Sequence, residues 1–478
     1  MKLPPRESGP TRCARRALGI RSVLAALAAR STGRLIKATG SGAASNLPGK
    51  LVNLVAPSFL SEQAARLTEG FALVTGTNGK TTTTAMAAAI LRANGRQLIH
   101  NAEGANLLSG IAAAFAQQPL APFALLEVDE AALPGAVARL GAPRAVVLTN
   151  LFRDQLDRYG EIDRLAEAWV ASLRGIPGLT LIINADDPLV THVALTSGLP
   201  LVTFGLQPAP EIALAGANEV SDAPVCPHCN APLEYARRWM AHFGEYRCPQ
   251  CGFARPRPDL LAHDIVLRDD GVQATVSAPE GELPLELHVQ GLHTLYNALA
   301  ALGLSGVLGI DASSGATALR SYRPVFGRSS TYQMRGARVH VNLVKNPAGL
   351  NQTLRTLRTV PGTKALIFVL NDRIADGRDI SWIWDADLES LLPEANIYVA
   401  SGTRPAGMAL RLKYAGVPTA RLSTAPDVRT ALLSLLAAGE HAIYVLPTYT
   451  ALREVRAALR TERAVLQAGG ATGDAHGR

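Results

Sequence analysis

The chain has 478 residues, of which 48% are hydrophobic and 18% charged. That is enough apolar material for two or three packed cores and too much for a disordered or collagen-like protein. Lys and Arg number 47 against 39 Asp and Glu, but residues 1–40 hold nine of the basic residues with Glu7 as their one acid, which leaves the rest of the chain balanced at 38 against 38. A body without net charge argues against nucleic acid as a partner, because that affinity needs clustered phosphate-neutralising cations.

In chain order, residues 1–45 read as a basic N-terminal tail and linker, a solvated terminus with an amphipathic helix near Ala17–Ala29. Arg15 and Arg16 ahead of that stretch imitate an export signal, but Arg21 interrupts it. No apolar run approaches the ~18–20 residues that a membrane-spanning helix needs, so a cytoplasmic protein is expected, with contact to a membrane face left open. Residues 46–318 read as an α/β domain. Strands are expected at Phe71–Val74, Phe123–Val128, Ala145–Leu148 and Leu179–Ile183, and helices at Thr81–Ala93 and Leu292–Leu308, with β-hairpins over 263–290. Such alternation predicts a parallel sheet with helices on both faces. Residues 222–258, rich in Pro and Cys, interrupt it as an insertion. A second, smaller α/β domain is expected over 319–465, with strands at Val339–Val344, Ala365–Leu370, Ile397–Ala400 and Ala442–Leu446, and a disordered tail over 466–478.

Four of the five cysteines form two Cys-x-x-Cys pairs, Cys226/Cys229 and Cys248/Cys251, separated by 18 residues. Each pair places two thiolates on one tight turn, and two turns close a tetrahedron of soft ligands around Zn²⁺. Four thiolates leave no open position for water, so the zinc is expected to be structural and the ribbon to serve the fold rather than the chemistry. The alternative, two disulfides, fits an oxidising compartment. His228 is a substitute ligand on paper and a solvent-facing knuckle residue on the plainer reading. Cys13 stands alone.

The strand end Leu73-Val74-Thr75 runs through Gly76-Thr77-Asn78-Gly79 into the helix start Lys80-Thr81-Thr82. Glycines let backbone N–H groups approach phosphate oxygens, and a helix N-terminus adds a positive dipole end. Lys80 suits the β/γ-phosphates of ATP and Thr81 suits Mg²⁺. The generic P-loop signature fails, because Val74 stands where its first Gly belongs. The string T-G-T-N-G-K-T-T instead resembles the ATP loop of the Mur ligase and folylpolyglutamate synthetase superfamily.

That resemblance implies further roles. Thr77, Asn78, Gly79, Lys80, Thr81 and Thr82 would bind nucleotide. Glu127, at a strand's C-terminal end, would hold Mg²⁺, with Glu130 as a second candidate. The run from Asn150 through Asp157 to Glu161 is similar to a superfamily stretch, but the Lys that usually follows, carbamoylated to hold a second metal, is missing from Ala166-Glu-Ala-Trp169. Asn184-Ala-Asp186-Asp187-Pro188 matches another superfamily string, with a turn and helix cap as the competing reading. Asn297 would reach the adenine edge and Arg328 would contact phosphate. The strings Asn342–Asn351 and Leu370–Asp385, with the four-cysteine insertion, narrow the resemblance to the MurT family, the synthetase subunits of lipid II isoglutaminyl synthases. Only about 70 residues precede the ATP loop, too few for the UDP-binding domain of typical Mur ligases.

The resemblance implies ATP-dependent amidation of the D-glutamate α-carboxylate in the lipid II stem at the cytoplasmic membrane face. Ammonia would come from a GatD-like class I glutaminase subunit. Such glutaminases need a Cys nucleophile with a His base, and this chain offers no free Cys outside the tail. An Asp here would orient the partner's His: Asp379 by preference, with Asp376 and Asp385 as alternatives. Two other functions remain open on sequence, an amino-acid ligase of the same superfamily and a non-catalytic zinc-ribbon adaptor.

Overall fold

The structure is a computed structural model that describes residues 18–39, 47–101, 105–153, 162–210, 221–268, 271–323 and 328–470. Cys13, residues 154–161 with Asp157, Gly327, the side chain of Arg328 and residues 471–478 lie outside the described residues.

The first domain is built on strands β1 (Gly70–Thr75), β2 (Leu98–His100), β3 (Phe123–Glu127), β4 (Ala145–Leu148), β5 (Thr180–Asn184) and β6 (Leu201–Leu206). The inserted hairpin is β7 (Glu234–Met240) with β8 (Phe243–Arg247), and β9 (Leu260–Arg268), β10 (Gly271–Ala278) and β11 (Gly281–Leu287) follow. The sheet order is β11-β10-β9-β6-β5-β4-β1-β3-β2. From β2 to β9 every pairing is parallel, and β9-β10-β11 is antiparallel. The expected sheet is therefore mixed, because the 263–290 hairpins join its edge. Strand β1 alternates: Phe71 and Leu73 face one core layer, Ala72 and Val74 the other. Burial on both faces explains why the parallel strands read as unbroken apolar runs. Helix Leu292–Val307 is buried almost all round because it packs on the sheet and against helices Lys80–Ala93 and Ala312–Arg320.

The second domain carries β12 (Arg328–Met334), β13 (Ala337–Asn342), β14 (Ala365–Val369), β15 (Ile397–Ser401), β16 (Leu422–Thr424) and β17 (Ala442–Pro447), in the order β12-β13-β17-β14-β15-β16. Only the β12–β13 pairing is antiparallel. In both sheets the chain reverses direction of winding beside one strand: β1 lies between β3 and β4, and β17 lies between β13 and β14. Loops leaving the carboxyl ends of three neighbouring strands meet at such a point, which is where ligands bind in open α/β sheets.

The basic N-terminal segment is more ordered than its charge suggested. Residues Ile20–Thr39 form a helix whose Ala25, Ala26 and Ala29 are buried in the core of the first domain. Small side chains allow that approach, and a charge count does not register them. Among the described residues no helix is long and apolar enough to cross a membrane.

Candidate active site

The loop after β1 is locked into shape by its neighbours. Asn150, just past β4, accepts the Asn78 N–H at 2.8 Å and donates to the Asn78 carbonyl at 2.9 Å, so one side chain clamps a whole peptide position. Thr149 donates to the same carbonyl at 2.8 Å. Gly76 (φ +128°) and Gly79 (φ +85°) both sit in the region that favours glycine, and a Cβ at either would fall 2.2 Å from a neighbour, Thr149 Oγ1 and Asn297 Oδ1 respectively. This narrow, glycine-dependent turn ends at the N-terminus of the 14-residue helix Lys80–Ala93, where backbone N–H groups and the dipole favour an anion. The turn and its donors fit a nucleotide phosphate chain.

Lys80 Nζ lies 2.8 Å from Glu130 Oε2, and it also donates to the Gly76 and Thr77 carbonyls at 2.6 and 3.2 Å. Burial by itself would raise the Glu130 carboxyl, but Lys80 and Lys345 outweigh it and hold the group below its ordinary value. The second magnesium candidate thus forms a buried ion pair with Lys80. Glu127, the last residue of β3, is buried beside β1, and Asn106 donates to it at 3.3 Å. With Thr81 in the first helical turn, it supplies hard oxygen donors of the type Mg²⁺ prefers. In the Ala166–Trp169 stretch, which carries no Lys, Trp169 is fully buried and donates to the Glu130 carbonyl at 2.9 Å.

The second domain completes the cleft. Asn78 and Asn346 pair amide to amide, at 3.1 Å from Asn346 Nδ2 to Asn78 Oδ1 and 3.4 Å in return. Asn346 also caps helix Pro347–Thr359 by accepting the Gly349 N–H at 2.9 Å. Lys345 lines the same cleft with Asn297 and His293, and Asn297 accepts from Thr83 Oγ1 at 3.2 Å. In the sequence Lys345 and Asn346 stand out only as part of the string Asn342–Asn351. The Asn-Pro helix start after a strand was the available signal for their position.

The four cysteine sulfurs lie within 4.8 Å of one another, with Cys226–Cys251 at 3.6 Å and Cys229–Cys248 at 3.5 Å. A tetrahedron with metal–sulfur bonds of roughly 2.3 Å has edges of about 3.8 Å, so the cluster fits Zn²⁺. The cysteines are free of disulfides. The Cys251 backbone N–H leads the effects that bring the Cys248 thiol down to about 7. His228 is exposed, and its ring packs on Phe253, so it is a knuckle residue.

The hairpin that grows from this cluster reaches the cleft beside the glycine turn. At its tip His242 is fully buried, with its ring 4.5 Å from Phe152 and Nε2 3.3 Å from Asp187. Met240 and Phe243 line the cleft together with Asn78. Phe152 in turn holds the loop: Thr77 Oγ1 donates to its carbonyl at 3.2 Å and accepts its N–H at 2.9 Å. The ribbon is therefore part of the wall of the site as well as a fold element, which its spacing did not reveal. Asp187 caps helix Pro188–Ser197. Asp186 is a buried hub: it pairs with Arg255 at 2.6 Å and accepts from Tyr296 at 2.6 Å, while Trp239 donates to the Tyr296 oxygen at 2.6 Å. Burial raises the Asp186 carboxyl in spite of Arg255.

The three aspartates of the second domain separate. Asp376 is buried and accepts both the Thr450 N–H, at 2.7 Å, and the Thr450 hydroxyl, at 2.5 Å, which ties the loop after β14 to the loop after β17. Asp379 is exposed, and the Ser381 N–H and hydroxyl, each at 2.8 Å, hold its carboxyl below the ordinary value. Asp385 is exposed at the end of the Ser381–Trp384 turn. Buried Arg411 anchors that turn through the Ile383 and Ala386 carbonyls and Glu389, beneath half-exposed Trp384.

The Mur ligase middle domain family matches residues 74–225, and the MurT ligase C-terminal family matches residues 343–452. The chain is 32% identical over 459 residues to the lipid II isoglutaminyl synthase (glutamine-hydrolyzing) subunit MurT of Streptococcus pneumoniae, covering 94% of this chain and 99% of that one. It is 35% identical over 376 residues to the subunit of the same name from Staphylococcus aureus, covering 78% and 83%. Among solved structures, the pseudomurein peptide ligase type C of Methanothermus fervidus superposes with a TM-score of 0.65 at 21% identity, covering 83% of this chain and 79% of that one. MurF of Acinetobacter baumannii superposes with a TM-score of 0.62 at 15% identity, covering 85% and 79%. These two share the fold. The chain belongs to the MurT family of the Mur ligase superfamily.

Proposed function

We propose that this chain is the ATP-dependent synthetase subunit of a lipid II isoglutaminyl synthase, which converts the D-glutamate α-carboxylate of the peptide stem to the amide. A carboxylate is a poor acyl donor. Its oxygen therefore attacks the γ-phosphorus of ATP, the bond to the β-phosphate oxygen breaks, and ADP leaves an acyl phosphate. Ammonia then attacks the acyl carbon, the C–O bond to phosphate breaks, and the nitrogen loses a proton to give the neutral amide. The observation that carries this reading is Lys80, buried on Glu130 at the mouth of the glycine turn and approached by Lys345 from the second domain. Two cations and a helix N-terminus converge where charge on a transferred phosphoryl group would develop, and such positioning is most of what phosphoryl transfer asks of a protein. Mg²⁺, when bound through Thr81 and Glu127, would neutralise further phosphate charge.

Ammonia comes from a GatD-like glutaminase subunit docked on the second domain, with Asp379 orienting the partner's His. Its exposure and its place beside the Trp384 turn support that choice over Asp376, which is committed to Thr450. Asn297 holds the adenine edge. The protein works on the cytoplasmic face of the membrane, where its lipid-linked acceptor lies. The test mixes chain, glutaminase, ATP, glutamine and lipid II, with ADP release and an amidated stem by mass spectrometry as the expected result. ADP release dependent on an added amino acid, with that residue found on the stem, would favour a peptide ligase instead.

A further inference from the structure

Helices Ile20–Thr39 and Leu47–Val55 both rest on helix Leu108–Gln117. A Cβ on Gly49 would fall 1.6 Å from the Ser109 carbonyl oxygen, and a Cβ on Gly33 would fall 3.0 Å from Gln117 Nε2. Their small residues face inward: Ser22, Ala25, Ala26 and Ala29 on the first, Pro48, Gly49 and Val52 on the second. The opposite faces are apolar as well. Ile20, Val23, Leu24 and Leu27 recur at helical spacing on the outer side of the first helix, and Leu47, Leu51, Leu54 and Val55 do so on the second. These eight side chains are 37 to 81% exposed and make up eight of the 18 exposed large apolar residues among the described residues. Burial would favour each by about 1 kcal/mol or more, so a patch of this kind marks an interaction surface.

The occupant is set by charge. Arg21 and Arg34 on the first helix and Lys50 on the second are exposed around the patch. The first 40 residues carry the protein's entire excess of eight positive charges, while the remainder of the chain is balanced. An apolar stripe rimmed by cations is the signature of a helix lying in the headgroup region of an anionic bilayer. We propose that helices 20–39 and 47–55 form a docking face for an anionic membrane, holding the protein at the surface without spanning it. This deepens the function proposed above, since a lipid-anchored acceptor lies at that surface, but vesicle binding is read without substrate and stands or falls separately from amidation.

The test is co-sedimentation of the full chain with vesicles of phosphatidylglycerol and phosphatidylcholine, against vesicles of phosphatidylcholine alone. Binding is expected to the anionic vesicles and to weaken with salt. Leu24→Glu with Leu54→Glu should reduce it more than tenfold, and Arg21→Glu with Arg34→Glu by at least fivefold per position, with the melting temperature unchanged because all four side chains are exposed. No binding to anionic vesicles, or binding that these variants leave intact, overturns the proposal. A dimer that Leu54→Glu dissociates would assign the face to a second copy, and loss of glutaminase capture by the same variant would assign it to the protein partner. Either result overturns the membrane assignment.

Discussion

Asn78 and Asn346 stand 268 positions apart in sequence and meet amide to amide across the two domains, 3.1 Å between Asn346 Nδ2 and Asn78 Oδ1. One belongs to the turn at the end of β1, the other to the helix cap that follows β13, so the closed cleft carries its own latch. Asn346→Asp keeps the cap acceptor for Gly349 but loses the donor to Asn78. The melting temperature should stay within a few degrees while ATP turnover with the full substrate set falls by about tenfold, the scale of one lost charge-positioning hydrogen bond. Asn346→Ala should in addition lose about 1 kcal/mol of stability with its cap. Unchanged turnover in Asn346→Asp would show that the latch plays no part in the reaction.

The Lys80–Glu130 pair predicts a pH dependence. Glu130 has a folded-state pKa below its ordinary 4.5, so its contribution to stability is complete above about 4.5 and disappears as pH falls through the lower folded value. Glu130→Gln should flatten the acid limb of a stability curve below pH ~4.5 and, by releasing Lys80, alter the affinity for ATP. Lys80→Ala should abolish ADP formation and, by leaving a buried carboxylate unpaired, destabilise the protein by about 3 kcal/mol or more. A denaturant titration at several pH values reads both effects.

The ribbon predicts coupling between zinc and nucleotide. Cys226→Ser should release zinc and lower the melting temperature, since a structural metal contributes folding free energy directly. Because Phe243 and Met240 wall the cleft and Phe152 links the ribbon tip to Thr77, the variant should also bind a fluorescent ATP analogue more weakly. A metal-free variant with unaltered nucleotide affinity would confine the ribbon to a structural role.

Asp186 joins ribbon, sheet and the helix bearing Asn297 through Arg255 and Tyr296. Arg255→Met strands a buried carboxylate and should cost about 3–5 kcal/mol. Tyr296→Phe removes one hydroxyl from the network and should cost about 1–3 kcal/mol. Thermal melts that rank the two in the reverse order would mean that Asp186 is protonated and that the hydroxyl network, rather than the ion pair, holds the junction.

For the acid that serves the glutaminase, Asp376→Ala should destabilise the second domain by about 1–3 kcal/mol, because the Thr450 N–H would lose its acceptor. Asp379→Asn should leave the melting temperature unchanged and cut glutamine hydrolysis by the reconstituted pair, while amidation from added ammonia continues. Loss of turnover in Asp385→Asn instead would move the role to that residue.

What the sequence determined by itself was local. The runs Phe71–Val74, Ala145–Leu148 and Ala365–Leu370 are apolar because both faces of a parallel strand are buried, and unbroken runs of that kind need no partner to be seen. The Cys-x-x-Cys spacing and the glycine turn were legible for the same reason: a tight turn is made by its own few residues. Tertiary structure alone decided what meets what. It paired Glu130 with Lys80, committed Asp376 to Thr450, brought the ribbon tip to the cleft beside the glycine turn, and left apolar faces exposed on helices Ile20–Thr39 and Leu47–Val55. These relations join residues tens to hundreds of positions apart, and their energy comes from burial and pairing that exist only once the sheets have brought the strand ends together.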